Sequence, residues 1–382
     1  MKLADLKIAV GHDDLTVPYA GGEKVFVAIA ETFPQADIFT SMITPWWANK
    51  VSNLNKASNE RRIITTFMQR IPFKRRLQKA LFLLYPLAFE SFDLSDYDLV
   101  ISSSSRFAHG VITRPETKHI CYMHSPGRMF WEPDHYFGSN SRLKTLLTPA
   151  LSYLRLWDHA AAQRVNQFMA NSKNVARKIK RYYGRDAEVV YPFVDLDRFK
   201  PINQSTSQPI NYFLVVTRLA PWKKVDIAVA AANAVGAKLK VVGIGPDEKR
   251  LKALARSQEP GAMSKVEILG GIGDEELVNL YQNCSALIMT QEEDFGITSL
   301  EAQACGKPVI AYGAGGALET VVAGKTGEFF ASQDAEALAK VLKKFDPKRY
   351  RPEDCRANAE KFSKGRFQKE LTRVVSQVIE DK

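Results

Sequence analysis

The sequence has no CxxC pair: its four cysteines, Cys121, Cys284, Cys305 and Cys355, stand far apart. That spacing excludes a zinc ribbon and a disulfide framework and predicts a reducing compartment. Long apolar runs are also missing. The longest, Ala80–Phe89, is ten residues broken by Pro86, too short to cross a bilayer. The opening MKLADLKIAV puts Asp5 and Lys7 where a secretory signal needs an apolar core, so a cytoplasmic protein is expected. There is no short-period repeat, no low-complexity tract and no Walker lysine pattern. At Val242-Gly243-Ile244-Gly245-Pro246 the dinucleotide fingerprint fails, because Glu248 stands where its third glycine belongs. These absences count against nicotinamide-dependent and ATP-hydrolysing enzymes.

What is present is a globular balance, with 45% hydrophobic and 25% charged residues over 382 positions, a length that predicts two domains. A formal net charge of +11 calls for an anionic partner: nucleic acid, a membrane face or a phosphorylated small molecule. Short β-branched runs alternate with helical patterns. Strands are predicted over Leu6–Val10, Asp98–Ser103, His119–His124, Phe168–Ala170 and Val189–Tyr191, then over Tyr212–Thr217, Leu239–Gly243, Val266–Leu269, Ala286–Thr290 and Pro308–Ala311. The helices between them include Glu23–Thr32, Lys173–Tyr183, Val225–Val235, Asp274–Asn283, Ser299–Cys305 and Ala335–Lys344. The fold class is α/β, with two doubly wound Rossmann-like domains whose facing crevices would form one cleft. Expected boundaries are 1–195, 196–346 and a helical tail at 347–382, with the polar stretch 203–209 as linker.

The densest signal is Gln291-Glu292-Glu293-Asp294-Phe295-Gly296-Ile297-Thr298-Ser299-Leu300-Glu301, between a predicted strand and a predicted helix. Gly296 sits where the backbone must turn, and the amides of Ile297 and Thr298 would face an anion at a helix start. Glu293 and Glu301 are natural acceptors for sugar and ribose hydroxyls. Taken alone, that segment fits better a capped helix, with Asp294 or Thr298 as the cap and Glu301 on a solvated face. A second cluster, Thr217-Arg218-Leu219-Ala220-Pro221-Trp222-Lys223-Lys224, puts a guanidinium fork and two ammonium groups at a strand's carboxyl end. Gly243 and Gly245 turn at another.

Taken in this order, these residues resemble the retaining glycosyltransferases of family 4, which have the GT-B fold, over nearly the whole chain. The E-x7-E pair is Glu293 and Glu301, the arginine–lysine pair is Arg218 and Lys223, and Gly243 to Pro246 is a further glycine turn. The resemblance implies that Arg218 and Lys223 hold the donor diphosphate, with Lys224 as the alternative lysine. It implies that Glu293 contacts the transferred sugar and Glu301 the ribose, with Phe295, Gly296, Ile297 and Thr298 at the donor and Ile272 at the base. His124, in Met123-His124-Ser125-Pro126, matches a histidine near the reacting sugar. Gly21-Gly22-Glu23 matches, in loosened form, a loop facing the pyrophosphate. Both C-terminal helices, Glu353–Phe362 and Arg366–Ile379, are expected to return to the first domain. No metal or cofactor is expected, and His12, Asp13 and Asp14 lack a defined ligand spacing.

Trp131 and Tyr136 would stack on a sugar or pack, and Asn171-Ser172 reads as a helix cap. Basic residues Arg61, Arg62, Arg70, Lys74, Arg75, Arg76 and Lys79 precede the apolar stretch to Phe89, with Phe67 and Phe73 among them, which suits an anionic membrane face or a packed basic helix. No RNA-binding motif accompanies them, so nucleic acid is not expected as a partner. Expected partners are a nucleotide-sugar donor, with GDP-mannose as the first guess from the look of Val190 to Asp195, and a lipid-linked or saccharide acceptor of polysaccharide assembly. A nucleotide-sugar epimerase and a non-catalytic sugar-nucleotide or membrane-binding module are the alternatives.

Overall fold

The computed structural model describes residues 3–17, 21–54, 61–72, 81–137, 142–202, 212–256 and 265–380. The expected linker at 203–209 lies outside them, as do Phe73, Lys74, Arg75, Arg76 and Lys79 of the basic stretch. The chain divides into two compact units, Met1–Pro192 with Gly365–Lys382, and Phe193–Lys364.

Among its described residues the first unit holds seven strands: β1 Ile8–His12, β2 Asp37–Thr40, β3 Ile63–Thr65, β4 Leu99–Ser104, β5 Lys118–Met123, β6 Gln167–Ala170 and β7 Ala187–Val189. They lie in the order β3-β2-β1-β4-β5-β6-β7, and every pairing is parallel. β1 and β4 are buried along their whole length, as central strands covered on both faces must be. Yet β4 ends in Ser102, Ser103 and Ser104, each fully buried, so each hydroxyl needs a partner. Each one meets a histidine. Ser102 Oγ lies 2.9 Å from His119 Nε2, Ser103 Oγ 2.8 Å from His124 Nε2, and Ser104 Oγ 3.1 Å from His109 Nδ1.

The second unit carries β8 Phe213–Val216, β9 Leu239–Val242, β10 Val266–Gly270, β11 Ala286–Met289, β12 Val309–Tyr312 and β13 Gly327–Phe330, again all parallel, in the order β10-β9-β8-β11-β12-β13. In each sheet the order reverses once, between β1 and β4 and between β8 and β11. Right-handed crossovers then put helices on both faces and open a crevice at the carboxyl ends of those two strands. The α/β class with two Rossmann-like units is therefore as expected.

Three strands escape the sequence pattern: β2, β3 and β13, which are three or four residues long, two of them at sheet edges. The 22-residue helix Arg142–Gln163 escapes it too, because Pro149 sits inside it and its leucines point both inward and outward. The C-terminal expectation needs correction. Only the last helix, Lys364–Glu380, joins the first unit, burying Phe367 against Tyr122 at 5.7 Å, while Arg366 Nη2 donates to Tyr191 O at 2.9 Å. The preceding helix, Pro352–Glu360, belongs to the second unit. Its Asn358 Nδ2 donates to Gln303 Oε1 and Thr320 O, and Arg356 Nη1 donates to Phe199 O at 2.7 Å and Ala304 O at 3.1 Å. Buried polar groups with such partners fix a helix where hydrophobicity alone would leave a choice.

Candidate functional site

At the reversal in the second sheet, the loops after β8 and β11 meet. Beyond β8 the chain makes a short 3-10 turn, Pro221–Lys223, and Lys224 then adopts φ 52°, the single left-handed non-glycine among the described residues. A lysine there costs about 1 kcal/mol or more, a strain kept only where surroundings enforce it. The turn delivers Lys223 Nζ to 2.6 Å from Glu293 Oε1, the two side chains being 18% and 20% exposed. Gln291 Nε2 donates to the same oxygen at 2.7 Å, and Thr290 Oγ donates to Lys223 O at 3.0 Å, tying the loops together through backbone as well as charge. Lys224 itself is exposed. Arg218 stands exposed at the end of β8, and no side-chain hydrogen bond or ion pair joins it to another described residue.

Glu301 lies 6% exposed within the helix Ile297–Ala304, where its Oε2 accepts the Tyr281 hydroxyl at 2.9 Å. Burial and the neighbouring Glu301 charge push Tyr281 well above its ordinary value, so it stays a donor. The helix begins at Gly296, φ 91°, which offers no side chain to the amides of its first turn. Ile297 and Thr298 are half-buried there. Phe295 is buried, 3% exposed, with its ring 5.7 Å from that of Phe362.

Gly243 and Gly245 brace this site from behind. At Gly243, φ 144°, a Cβ would stand 1.8 Å from Thr217 O, and at Gly245 one would stand 2.0 Å from Leu219 O. Leu219 N–H donates to Ile244 O at 3.0 Å, so the glycine turn seats the loop that carries Arg218. Ile272, half-buried, follows β10 in the same edge of loops. Sequence reasoning missed Gly315 and Gly316, which press on the other side: Gly316 N–H donates to Glu293 O at 2.8 Å, and a Cβ there would stand 2.3 Å from Phe295 Cα. The run Gly313-Ala314-Gly315-Gly316 after a strand was the available signal.

In the first unit, the reversal between β1 and β4 gathers His12, Asp13, Ser103 and, from the end of β5, His124. Burial pushes the His124 imidazole down to about 3, with His12 adding to the effect and Asp13 opposing it. Asn171, which lies just before the helix capped by Ser172, donates through Nδ2 to His124 O at 2.9 Å. The helix Gly21–Thr32 starts beside the ring: a Cβ at Gly22 would stand 3.9 Å from His124 Cε1 and Nε2. Asp13 Oδ1 accepts the amides of Phe107 and Ala108 at 2.8 and 2.7 Å, and its Oδ2 accepts that of Ser105 at 2.7 Å. Asp14 accepts Thr16 Oγ and Arg106 Nη2. Both carboxylates thus organise the loop after β4. Trp131 packs, stacked on Tyr182 at 4.7 Å and donating to Asp158 Oδ2, whereas Tyr136 is 40% exposed.

Of the three described basic residues ahead of Phe89, Arg61, Arg62 and Arg70, the first two have structural duties. Arg61 Nη2 donates to Ala30 O, Phe33 O and Pro34 O, closing the end of the helix Gly21–Thr32, and Arg62 pairs with Asp37 at 2.8 Å. Of the apolar residues after them, Tyr85, Ala88 and Phe89 are core while Leu83 and Leu87 are exposed.

Residues 19–198 match the model of Glycosyltransferase Family 4, and residues 198–362 match that of Glycosyl transferases group 1. Among curated proteins, the chain is 32% identical over 206 residues to a D-inositol 3-phosphate glycosyltransferase of Mycolicibacterium paratuberculosis, covering 49% of this chain and 46% of that one. It is 31% identical over 206 residues to the enzyme of the same name from Mycobacterium avium, covering 49% and 48%. The chain spans about half the length of the curated relatives it matches. Among solved structures it resembles a sucrose-phosphate synthase from Thermosynechococcus elongatus, with a TM-score of 0.75 at 18% identity over 98% of this chain and 100% of that one. It also resembles Anabaena HepE in complex with UDP, with a TM-score of 0.70 at 18% identity over 97% and 100%. At these identities the likeness is one of fold.

Proposed function

The chain belongs to glycosyltransferase family 4, its two matching models together taking in residues 19–362, and from that premise we propose that it transfers a sugar from a nucleoside-diphosphate sugar to an acceptor hydroxyl. The observation that carries this reading is the Lys223–Glu293 pair, set beside a helix start at the carboxyl edge of a parallel sheet where strand order reverses. Lys223 and Arg218 neutralise the diphosphate as its bond to the sugar breaks, with the first-turn amides of Ile297 and Thr298 helping. Charge placed at a leaving group lowers the barrier only insofar as it acts more strongly in the transition state. Glu293 orients the sugar, Glu301 takes the ribose hydroxyls, and His124 contacts the sugar or acceptor. A cationic grip of this kind needs no metal to offset the departing charge.

Retention of the donor's anomeric configuration and GDP-mannose as the donor follow from the family resemblance. Incubation with labelled UDP- and GDP-sugars and a panel of acceptors tests them, with the product's anomer read by NMR. A matching nucleotide should raise the melting temperature of the second unit by several degrees, since a ligand at a hundred times its Kd adds about 2.7 kcal/mol. Flat melting curves across the whole UDP and GDP panel would rule the reading out, and isomerised sugar without transfer would replace it with epimerisation.

A lipid-linked acceptor is supported by the long helix of the first unit. Leu146, Pro149, Tyr153, Leu156 and Ala160 recur every three or four residues along its outer side, all exposed, with Leu146 at 77% and Leu156 at 74%. The exposed part of this helix holds Arg142 and no acid; its one carboxylate, Asp158, is fully buried. Among the described residues no helix is long and apolar enough to cross a membrane, so contact would be shallow. Leu146→Glu with Leu156→Glu should weaken flotation with phosphatidylglycerol vesicles by about tenfold or more. Equal flotation of variant and wild type would remove this support.

A further inference from the structure

The hydroxyl of Ser103, on a fully buried residue, lies between two imidazoles, 3.1 Å from His12 Nδ1 and 2.8 Å from His124 Nε2. His12 Nδ1 is also 3.1 Å from the Ser103 carbonyl oxygen. A carbonyl oxygen can only accept, so Nδ1 of His12 carries a proton, shared between that carbonyl and the hydroxyl. The proton of the Ser103 hydroxyl then needs an acceptor of its own. With water shut out at a buried oxygen, the ring nitrogen left for it among the described residues is His124 Nε2. His124 therefore accepts at Nε2. No hydrogen bond joins its Nδ1 to another described residue.

We propose that His12 and Ser103 are positioning residues that hold His124 as its neutral Nδ1–H tautomer, so that it meets substrate as a hydrogen-bond donor to a sugar or acceptor oxygen, not as a base. The surroundings agree. The groups facing the ring are His12 from the end of β1 and Asp13 just after it, Ser103 from β4, Tyr122 from β5 with its ring 5.2 Å away, and the glycine start of the helix Gly21–Thr32. Asp13, the one carboxylate among these groups, is occupied by three backbone amides, and Tyr122 is pushed well above its ordinary value by burial. Burial keeps the ring uncharged down to about pH 3. Only the identity of the oxygen rests on the glycosyl-transfer reading; the tautomer does not.

Imidazole nitrogen–proton correlation spectra of the whole chain at pH 7 test it, with the His124 signals among the six histidines assigned by their loss in His124→Gln. The expected pattern is a protonated Nδ1 and an unprotonated Nε2. Ser103→Ala should shift it toward Nε2–H, and Ser103→Thr, which keeps the hydroxyl, should restore it. In transfer assays Ser103→Ala should lower kcat by about tenfold, the size of one lost hydrogen bond, with donor KM little changed. An Nε2–H or imidazolium pattern in the wild-type chain would overturn the proposal, as would an unchanged pattern in Ser103→Ala. The expected pattern in a protein that turns over no nucleotide sugar would uphold it and defeat the glycosyl-transfer reading instead.

Discussion

Lys223→Ala is expected to slow sugar transfer by about a hundredfold to a thousandfold, and Glu293→Ala by at least as much. The donor's diphosphate is already charged when it binds, but further charge gathers on its bridging oxygen as the sugar departs. A fixed ammonium aimed there acts mainly in the transition state, so the loss should fall on kcat more than on KM. The pair is interdependent. Lys223 Nζ and Gln291 Nε2 converge on one oxygen of Glu293, so removing the lysine leaves a mostly buried carboxylate underpaired, and removing the carboxylate frees the lysine to stray. Lys223→Arg should not restore the rate, because a planar fork cannot take the place of a point charge inside this turn. Circular dichroism and melting temperature should show each variant folded. A Lys223→Ala enzyme with wild-type kcat would sink the assignment, and a loss appearing in Lys224→Ala instead would pass the role to its neighbour.

How far such a site is legible in a sequence depends on which of its features are local. The E-x7-E spacing and the arginine and lysine after β8 could be read, because loop chemistry at the carboxyl end of a parallel strand is written in a few consecutive residues. The ends of the long apolar strands came within two residues for the same reason. What could not be read depends on contacts distant in sequence. Nothing in Leu99-Val100-Ile101-Ser102-Ser103-Ser104 announces that the hydroxyls of Ser102 and Ser103 face the imidazoles of His119 and His124, brought from β5 and its end. Within its motif Phe295 reads as a ligand contact, and nothing there announces that its ring packs beside Phe362, sixty-seven positions later. Pro352–Glu360 carries an amphipathic pattern that would suit either unit; the hydrogen bonds of Asn358 and Arg356 decide. Gly315 and Gly316 were ordinary loop glycines until the backbone of Glu293 was seen against them.

The largest loss of stability is expected at Asp13, a residue that touches no proposed substrate group. Its carboxylate is 3% exposed and accepts three amides of the loop after β4, while Arg106 adds a nearby positive charge. Burial by itself raises its pKa; Arg106, His12 and the amides of Phe107 and Ser105 outweigh that and hold it below the ordinary 3.8. Asp13→Ala leaves two buried N–H groups and one half-buried one without this acceptor and should cost the first unit about 3–5 kcal/mol; Asp13→Asn, which keeps one acceptor oxygen, should cost less. Tryptophan fluorescence in urea follows this unit well, because Trp46, Trp47, Trp131 and Trp157 lie in it and only Trp222 in the other. The sign with pH follows from the direction of the shift. A folded-state pKa below the unfolded one means the stabilisation is fully present above about pH 3.8 and is lost as pH falls through the lower, folded value. Wild type should therefore lose stability more steeply than Asp13→Asn as acid is added below that point. An Asp13→Ala protein within about 1 kcal/mol of wild type, or parallel acid limbs for wild type and Asp13→Asn, would mean that the loop after β4, and with it the seat of Ser103 and His124, is held by something other than this carboxylate.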